Sequence, residues 1–380
     1  MPFCLRLLFS VFCFSAPILA NAQQSLPEKE LEQIMSARKA IGLATVVVKE
    51  GRIIYTHSFG YKNRENNEML RDSDIFRIAS ISKSFSATSI MQLVAQKKLS
   101  LDDDVSDLIG FKIRNPAFPE TVITLKMLLS HRSSLNDSQG YFQLDTINPS
   151  TNPDFAKCYS SYRPGTQYRY CNLNFNIVGT IIERVSGERF DQYVKRHVLA
   201  PLHLYGGYCV DSLDAKRFTT LYEYDAKADT FTAAPLAYAP RREELSRYKM
   251  GYSTPIFSPT GGMKISATDL AKYMIMHMNY GISGGVRIME KKLSKKMQKP
   301  QSETDGYGMA IMNYDDLVPG HKLTGHTGSA YGLYSAMFFD RRKKYGFVVI
   351  TNGCDGTYTG EVNNLLRETI ASLYKNFIKD

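Results

Sequence analysis

The 380-residue chain has no HExxH motif, and its seven histidines are dispersed, with no pair at metal-ligand spacing on a helical stretch. A catalytic metal is therefore not expected, and no cofactor is implied. Cysteine is scarce: of six, Cys4 and Cys13 lie in the first 22 residues, and Cys158, Cys171, Cys209 and Cys354 show no zinc-like spacing. Internal repeats and low-complexity linkers are missing, so residues 23–380 are read as one domain. After the first 22 residues no segment is long and apolar enough to span a bilayer. The formal net charge is +10, but the cations stand in short runs, Arg341-Arg342-Lys343-Lys344, Lys291-Lys292 and Lys295-Lys296, with no nucleic-acid-binding motif beside them. Such runs read as solvated faces, and a nucleic-acid partner is not expected.

Residues 1–22 combine one early cation (Arg6), an apolar middle and Ala20-Asn21-Ala22, a small-x-small cleavage site. This pattern reads as a secretory signal peptide cut near Ala22, placing the mature protein in the periplasm or outside the cell. An uncleaved membrane anchor is the alternative, but the apolar stretch is short and broken by Ser10, Ser15 and Pro17. No cysteine follows the small residues, which argues against a lipid anchor. Disulfides persist in an export compartment. Cys158 and Cys171 flank a turn-rich loop and are candidates to pair; four buried free thiols are the open alternative.

Along the chain, a polar helix is expected at 27–38, then two β-rich runs, 43–48 and 53–56, around a glycine turn at Gly51. A helix beginning near Ser80 carries apolar Ile90, Leu93 and Val94 and ends at Lys97-Lys98, where cations suit the helix dipole. The middle of the chain, 101–250, is loop-rich with short helices at 125–131, 175–185 and 190–199. An N-cap near Thr268-Asp269 opens a helix over 270–280. From Gly325 the pattern returns to β, with strands at 333–339 and 346–351, and a helix at 361–377 closes the chain. Strands at both ends around a helical middle predict an α+β fold of two lobes: one antiparallel sheet built from N- and C-terminal segments and flanked by helices, with a mainly helical lobe inserted.

The chemistry centres on Phe76-Arg77-Ile78-Ala79-Ser80-Ile81-Ser82-Lys83-Ser84-Phe85-Ser86-Ala87. Ser-x-x-Lys occurs four times, at Ser36, Ser80, Ser246 and Ser372, so the pattern alone says little. Only Ser80 has apolar and small residues on both sides, as a buried, water-restricted site requires. Three residues apart on a helix, Ser80 and Lys83 share a face, and a lysine whose pKa is lowered by burial can take the hydroxyl proton. Gly281-Ile282-Ser283-Gly284-Gly285 matches GxSxG, but it follows a helix instead of a strand and reads as a turn. His277 reads as a core or edge histidine, and His131, ending its short helix, as a cap for carbonyls. His326 stands apart, because Gly325-His326-Thr327-Gly328-Ser329 opens a β segment whose edge can lie along a substrate and offer a backbone N–H to an oxyanion; a plain turn is the other reading. Tyr-x-Asn at Tyr170 recurs at Tyr61 and Tyr374, and carries no weight alone.

Taken in order, Ser80-Ile81-Ser82-Lys83 in FRIASISKSFSA, Tyr170-Cys171-Asn172 after PGTQYRY, and His326-Thr327-Gly328 in GHTGSAYG resemble the serine β-lactamase and penicillin-binding protein superfamily. The resemblance is strongest to its class C β-lactamase-like and D-alanyl-D-alanine carboxypeptidase-like branch. LSLDDDVSDL, ITLKMLLSHRSSL and SPTGGMKISATDLAKYM support it, and it covers about residue 41 to the C-terminus. The resemblance implies an exported serine hydrolase that cleaves an amide or ester through a Ser80 acyl-enzyme, acting on a small-molecule or peptide-like acyl substrate. Lys83 is implied as proton acceptor and Tyr170 as its partner in acid–base work. Asn172 is implied to hold a substrate amide or carbonyl. The N–H groups of Ser80 and Ser329 are implied as an oxyanion hole, with Thr327 and Gly328 along the substrate edge. His326 stands where β-lactamases of this branch usually carry lysine, so efficient antibiotic hydrolysis is not implied. Esterase or transacylase activity toward a small alcohol, and a binding or sensor protein without turnover, are the alternatives.

Overall fold

The computed structural model describes residues 25–302 and 304–379. The expected signal peptide lies outside these residues. Among them, the largest sheet has seven strands, antiparallel throughout: β1 (Gly42–Lys49), β2 (Arg52–Asn63), β3 (Glu68–Met69), β4 (Met312–Val318), β5 (His321–Ala330), β6 (Leu333–Asp340) and β7 (Tyr345–Thr351). Their order in space is β4-β5-β6-β7-β1-β2-β3. The two ends of the chain meet where β1 pairs with β7, Leu43 opposite Thr351 and Val46 opposite Val348. The expected sheet from both termini is what the structure shows. β1 is buried on both faces, and an apolar run without alternation is what such a strand needs. Its turn into β2 uses Glu50 and Gly51 with φ of 55° and 75°, the paired positive values of a tight hairpin turn.

One sheet face carries Leu43, Val47, Phe347 and Val349 against Leu31 and Met35 of α1 (Leu26–Ala37) and Leu365 and Ile370 of the C-terminal helix, Asn364–Phe377. The other carries Ala44, Val46, Val348 and Ile350 toward the helical lobe, whose chain runs between β3 and β4. α2 (Ser82–Ala95) runs through that lobe and is buried on nearly every side. Its hydroxyls are satisfied internally: Ser84 and Ser89 donate to the carbonyls of Ile81 and Phe85, and Ser86 to that of Pro259. Beside it pack α3 (Asn172–Ser186) and α4 (Ala267–Met278).

Several expected boundaries move for identifiable reasons. α3 begins three residues before the expected Phe175, because Asp137 accepts the N–H groups of Asn172 and Leu173 and so caps its first turn. α4 begins at Ala267, capped by the Ser266 hydroxyl accepting from Asp269 N–H at 3.1 Å. The segment expected to be helical through Leu199 is α-helical only over Phe190–Val194 and continues as a π-helical turn, Lys195–Leu199. β4 was not expected, since Asp315-Asp316 interrupts its apolar pattern; it is an edge strand, where charges are tolerated. Gly281-Ile282-Ser283-Gly284-Gly285 is a small hairpin turn between Ile282–Ser283 and Val286–Arg287, as expected. Cys158, Cys171, Cys209 and Cys354 are all free and buried, the second of the two expectations: Cys158 Sγ donates to Thr146 O and Cys171 Sγ to Asp137, both at 3.2 Å.

Candidate active site

Ser80 lies in a 3₁₀ turn, Ala79–Ile81, feeding directly into α2. Ala79 holds φ of 48°, an uncommon value for a residue with a Cβ, of a kind that clusters at functional sites. The tight turn sets Ser80 at the floor of a cleft of about 670 Å³ that is also lined by Tyr170, Asn172, Thr260, His326, Thr327, Gly328 and Ser329. Every site residue expected from the sequence therefore reaches this cleft except Lys83, which lies directly beneath it, fully buried.

Lys83 Nζ sits 3.1 Å from Ser80 Oγ, and it also donates to Asn172 Oδ1 at 2.9 Å and to the Thr260 carbonyl at 3.0 Å. Burial, with no acid close enough to offset it, lowers its pKa from 10.5 to about 7; Asp137 and Cys171 oppose the fall only in part. A neutral amine has two N–H bonds and one lone pair. Asn172 and Thr260 take both hydrogens, which leaves the lone pair for the Ser80 hydroxyl proton.

Asn172 is held for this task. Its amide nitrogen donates to Asp137 at 3.0 Å, and its oxygen also accepts from the Thr260 hydroxyl at 2.8 Å. The same oxygen accepts from Lys83, so Asn172 positions the lysine while also lining the cleft. Asp137 and Thr260 were not singled out from the sequence. Thr260 lies in a stretch that carried the family likeness, but nothing local marks Asp137.

Tyr170 keeps 37 % of its surface open to the cleft, whereas its hydroxyl is enclosed beside Ser80. The enclosed hydroxyl governs its acidity: burial raises the pKa well above 10, against a smaller opposing effect of the Ser80 hydrogen bond. The phenol therefore stays protonated, and the expected sharing of base work falls to Lys83. Lys83 Nζ also lies 4.7 Å from the centre of the Tyr170 ring.

His326 is buried on β5. Its Nδ1 faces the Thr327 carbonyl and must carry the hydrogen, so Nε2 accepts from the Tyr307 hydroxyl at 3.1 Å. Burial and the nearby Lys83 lower its pKa to about 4, leaving it neutral near pH 7. His131 does not cap carbonyls as expected. Its Nδ1 accepts from Cys171 N–H at 3.2 Å, and its ring packs 4.3 Å from that of Tyr170, holding the tyrosine from behind.

β5 is the expected substrate edge. β4 pairs with it only as far as Gly325, opposite Met312, while β6 continues to Ala330. Among the described residues, 326–330 therefore have one edge without a strand partner, and they run past the Ser80 turn. Gly328 is required there: a Cβ would stand 2.3 Å from the Ile78 carbonyl and 3.1 Å from Ala79 Cβ. Ser335 ties the two together by donating to the same Ile78 carbonyl at 3.0 Å.

Comparison with known proteins agrees with this geometry. "Protein flp" of Staphylococcus aureus (strain N315) is 23 % identical over 351 residues, 88 % of this chain, and the chain spans 64 % of that relative's length. Among solved structures, the octameric penicillin-binding protein homologue from Pyrococcus abyssi superimposes with a TM-score of 0.69 at 27 % identity, covering 86 % of this chain and 73 % of that one. D-amino acid amidase from Ochrobactrum anthropi SV3 gives 0.69 at 19 % identity, covering 92 % and 99 %. At that identity the likeness is one of fold. A family model described as "Beta-lactamase" matches residues 28–370, and the chain belongs to that family.

Proposed function

We propose that this protein is a serine acyl-hydrolase that cleaves an amide or ester through an acyl-enzyme on Ser80. The observation that carries the reading is the Lys83 amine. It is buried, lowered to about pKa 7, and has both hydrogens engaged so that its lone pair faces Ser80 Oγ at 3.1 Å. Neutral Lys83 takes the Ser80 proton as Oγ bonds to the substrate carbonyl carbon, and the carbonyl electrons move onto oxygen. The N–H groups of Ser80 and Ser329 hold that oxyanion, and the free edge of β5 receives the substrate backbone. As the intermediate collapses, the Tyr170 hydroxyl gives its proton to the leaving nitrogen or oxygen and regains one from the Lys83 ammonium. Water then attacks the ester, with the same groups moving protons in reverse. The shared fold of a D-amino acid amidase supports an acyl substrate of this class. From the signal-like pattern of residues 1–22 we propose in addition that the enzyme is periplasmic or secreted, and N-terminal sequencing of the exported protein should begin near Gln23.

The test is intact-mass spectrometry of the protein and of Ser80→Ala, each incubated with a β-lactam, a p-nitrophenyl ester and a D-alanyl-D-alanine peptide. The wild type should gain an acyl mass or turn over at least one compound, and the variant none. Identical behaviour of the two proteins would overturn the assignment of Ser80.

A further inference from the structure

Behind the Ser80 cleft lies a second cavity of about 390 Å³ that shares Arg77, Phe142, Ser258 and Tyr331 with it as a common wall. Its charge is unusual. Phe76–Arg77 and Lys264–Ile265 form a short antiparallel pair in which Phe76 faces Ile265 and Arg77 faces Lys264. Phe76 and Ile265 are fully buried in the core, and Arg77 and Lys264 both line the cavity. Like charges placed directly opposite each other on paired strands are destabilising, and burial, with Arg77 beside it, lowers the Lys264 pKa well below its ordinary value.

Arg77 is 9 % exposed and Lys264 3 %, yet among the described residues neither has an acid at ion-pair distance. Arg77 donates through Nε to the Gly261 carbonyl and through Nη1 to that of Ala237, both at 3.1 Å. Lys264 Nζ donates to the Tyr208 carbonyl at 2.6 Å. The Tyr331 ring covers one face of the guanidinium at 5.0 Å. Of the other charged groups in the cavity wall, Arg241 and Glu244 pair with each other at 2.9 Å, which leaves Arg77 and Lys264 without an acid; burial and the neighbouring Arg77 hold the Lys264 amine well below its ordinary pKa, so an anion entering the cavity would restore its proton. Buried basic side chains are ordinarily paired; these two line a cavity that shares four wall residues with the catalytic cleft.

We propose that the second cavity is an anion subsite in which Arg77 and Lys264 together bind a carboxylate carried by the substrate, several bonds from the carbonyl that Ser80 attacks. The proposal takes the acyl-hydrolase reading of Ser80 as its premise and adds the substrate class: acyl compounds with a remote negative charge. A planar carboxylate suits the guanidinium plane, while Lys264 closes on its other oxygen. The Arg77 guanidinium, with a Lys264 amine that takes up a proton as the carboxylate binds, supplies the anion anchor that neutral His326 lacks.

Two measurements test it, and only one depends on turnover. In calorimetry on the Ser80→Ala protein, glutarate should bind at least tenfold more tightly than glutaramide. Lys264→Met should abolish that preference, Lys264→Gln should do the same, and Lys264→Arg should restore it. Equal binding of glutarate and glutaramide, a preference untouched by both neutral variants, or inorganic phosphate bound in place of glutarate would each overturn the proposal. In kinetics with Ser80 intact, the ratio of kcat/KM for the p-nitrophenyl monoester of glutarate to that for p-nitrophenyl valerate should fall at least tenfold in Lys264→Met, mainly through KM. An unchanged ratio overturns the proposal. Should the wild type hydrolyse neither ester, the hydrolase reading rests on the intact-mass test above, and the calorimetry decides the subsite by itself.

Discussion

The acid limb of the pH profile is set by one buried amine, and its position follows from the structure. Lys83 falls from 10.5 to about 7 because folding removes its ammonium from water; at about 1.4 kcal/mol per pKa unit, that gap is on the order of 5 kcal/mol against the charged form. The folded pKa is depressed, so the stability at stake is fully present above the unfolded value of 10.5 and is lost as pH falls toward 7. Activity follows the same proton with a simpler consequence. Only neutral Lys83 can accept from Ser80, so kcat/KM for a chromogenic ester should rise about tenfold per pH unit below 7 and level off above it. No other group of the site accounts for a limb there: His326 titrates near 4, His131 well below 6.5, and Tyr170 above 10. Lys83→Arg keeps a permanent cation, and it should lose roughly 10²- to 10⁴-fold in kcat/KM, together with the limb. Stopped-flow acylation across pH 5 to 10 measures both. A midpoint below about 5 or above about 9, or a limb that survives in Lys83→Arg, refutes the assignment of Lys83 as the base.

Four further outcomes are expected. Asp137→Asn removes a carboxylate that holds the Lys83 pKa up, so the same midpoint should move to lower pH; an upward shift would contradict the electrostatics. Tyr170→Phe deletes only a hydroxyl and should slow acylation by about 10²- to 10⁴-fold with little change in Tm, whereas an undiminished rate would remove the phenol from the proton path. Gly328→Ala drives a Cβ into the Ile78 carbonyl 2.3 Å away, and should cost about 1–3 kcal/mol in denaturant unfolding as well as slow Ser80 acylation; wild-type values of both would show that the strand does not press on the Ser80 turn. Residues 23–380, unfolded without reductant, should react with four equivalents of a thiol reagent, and two equivalents would reveal a bridge.

Some of the molecule was legible because its physics is local. Three residues of a helix carry Ser80 and Lys83 onto one face whatever surrounds them. The unbroken apolar run of β1 and the strands at 333–339 and 346–351 announce a sheet made from both ends of the chain, and the β1–β7 register is its realisation. The small residues at 325–329 announced a substrate edge, but it is the far end of β5 and not its opening, since the strand begins at His321.

Other features depended on approaches between segments far apart in sequence. The carbonyl of Thr260, 177 residues from Lys83, takes one of its hydrogens. Asp137, 35 residues before Asn172, starts α3 early and holds Asn172, whose oxygen supports the lysine. No periodicity encodes either contact, because each arises where loops of the helical lobe close over the start of α2. β4 was hidden by its own acids, which an edge strand tolerates and a central one does not. The opposition of Arg77 and Lys264 likewise exists only once two two-residue strands pair. Residue types and their order thus determined the sheet, the nucleophile and its lysine. Burial, a property of the whole fold, decided which groups are charged: it makes Lys83 a base near neutral pH, keeps Tyr170 protonated and His326 neutral, since the cost of removing a charge from water depends on everything packed around it.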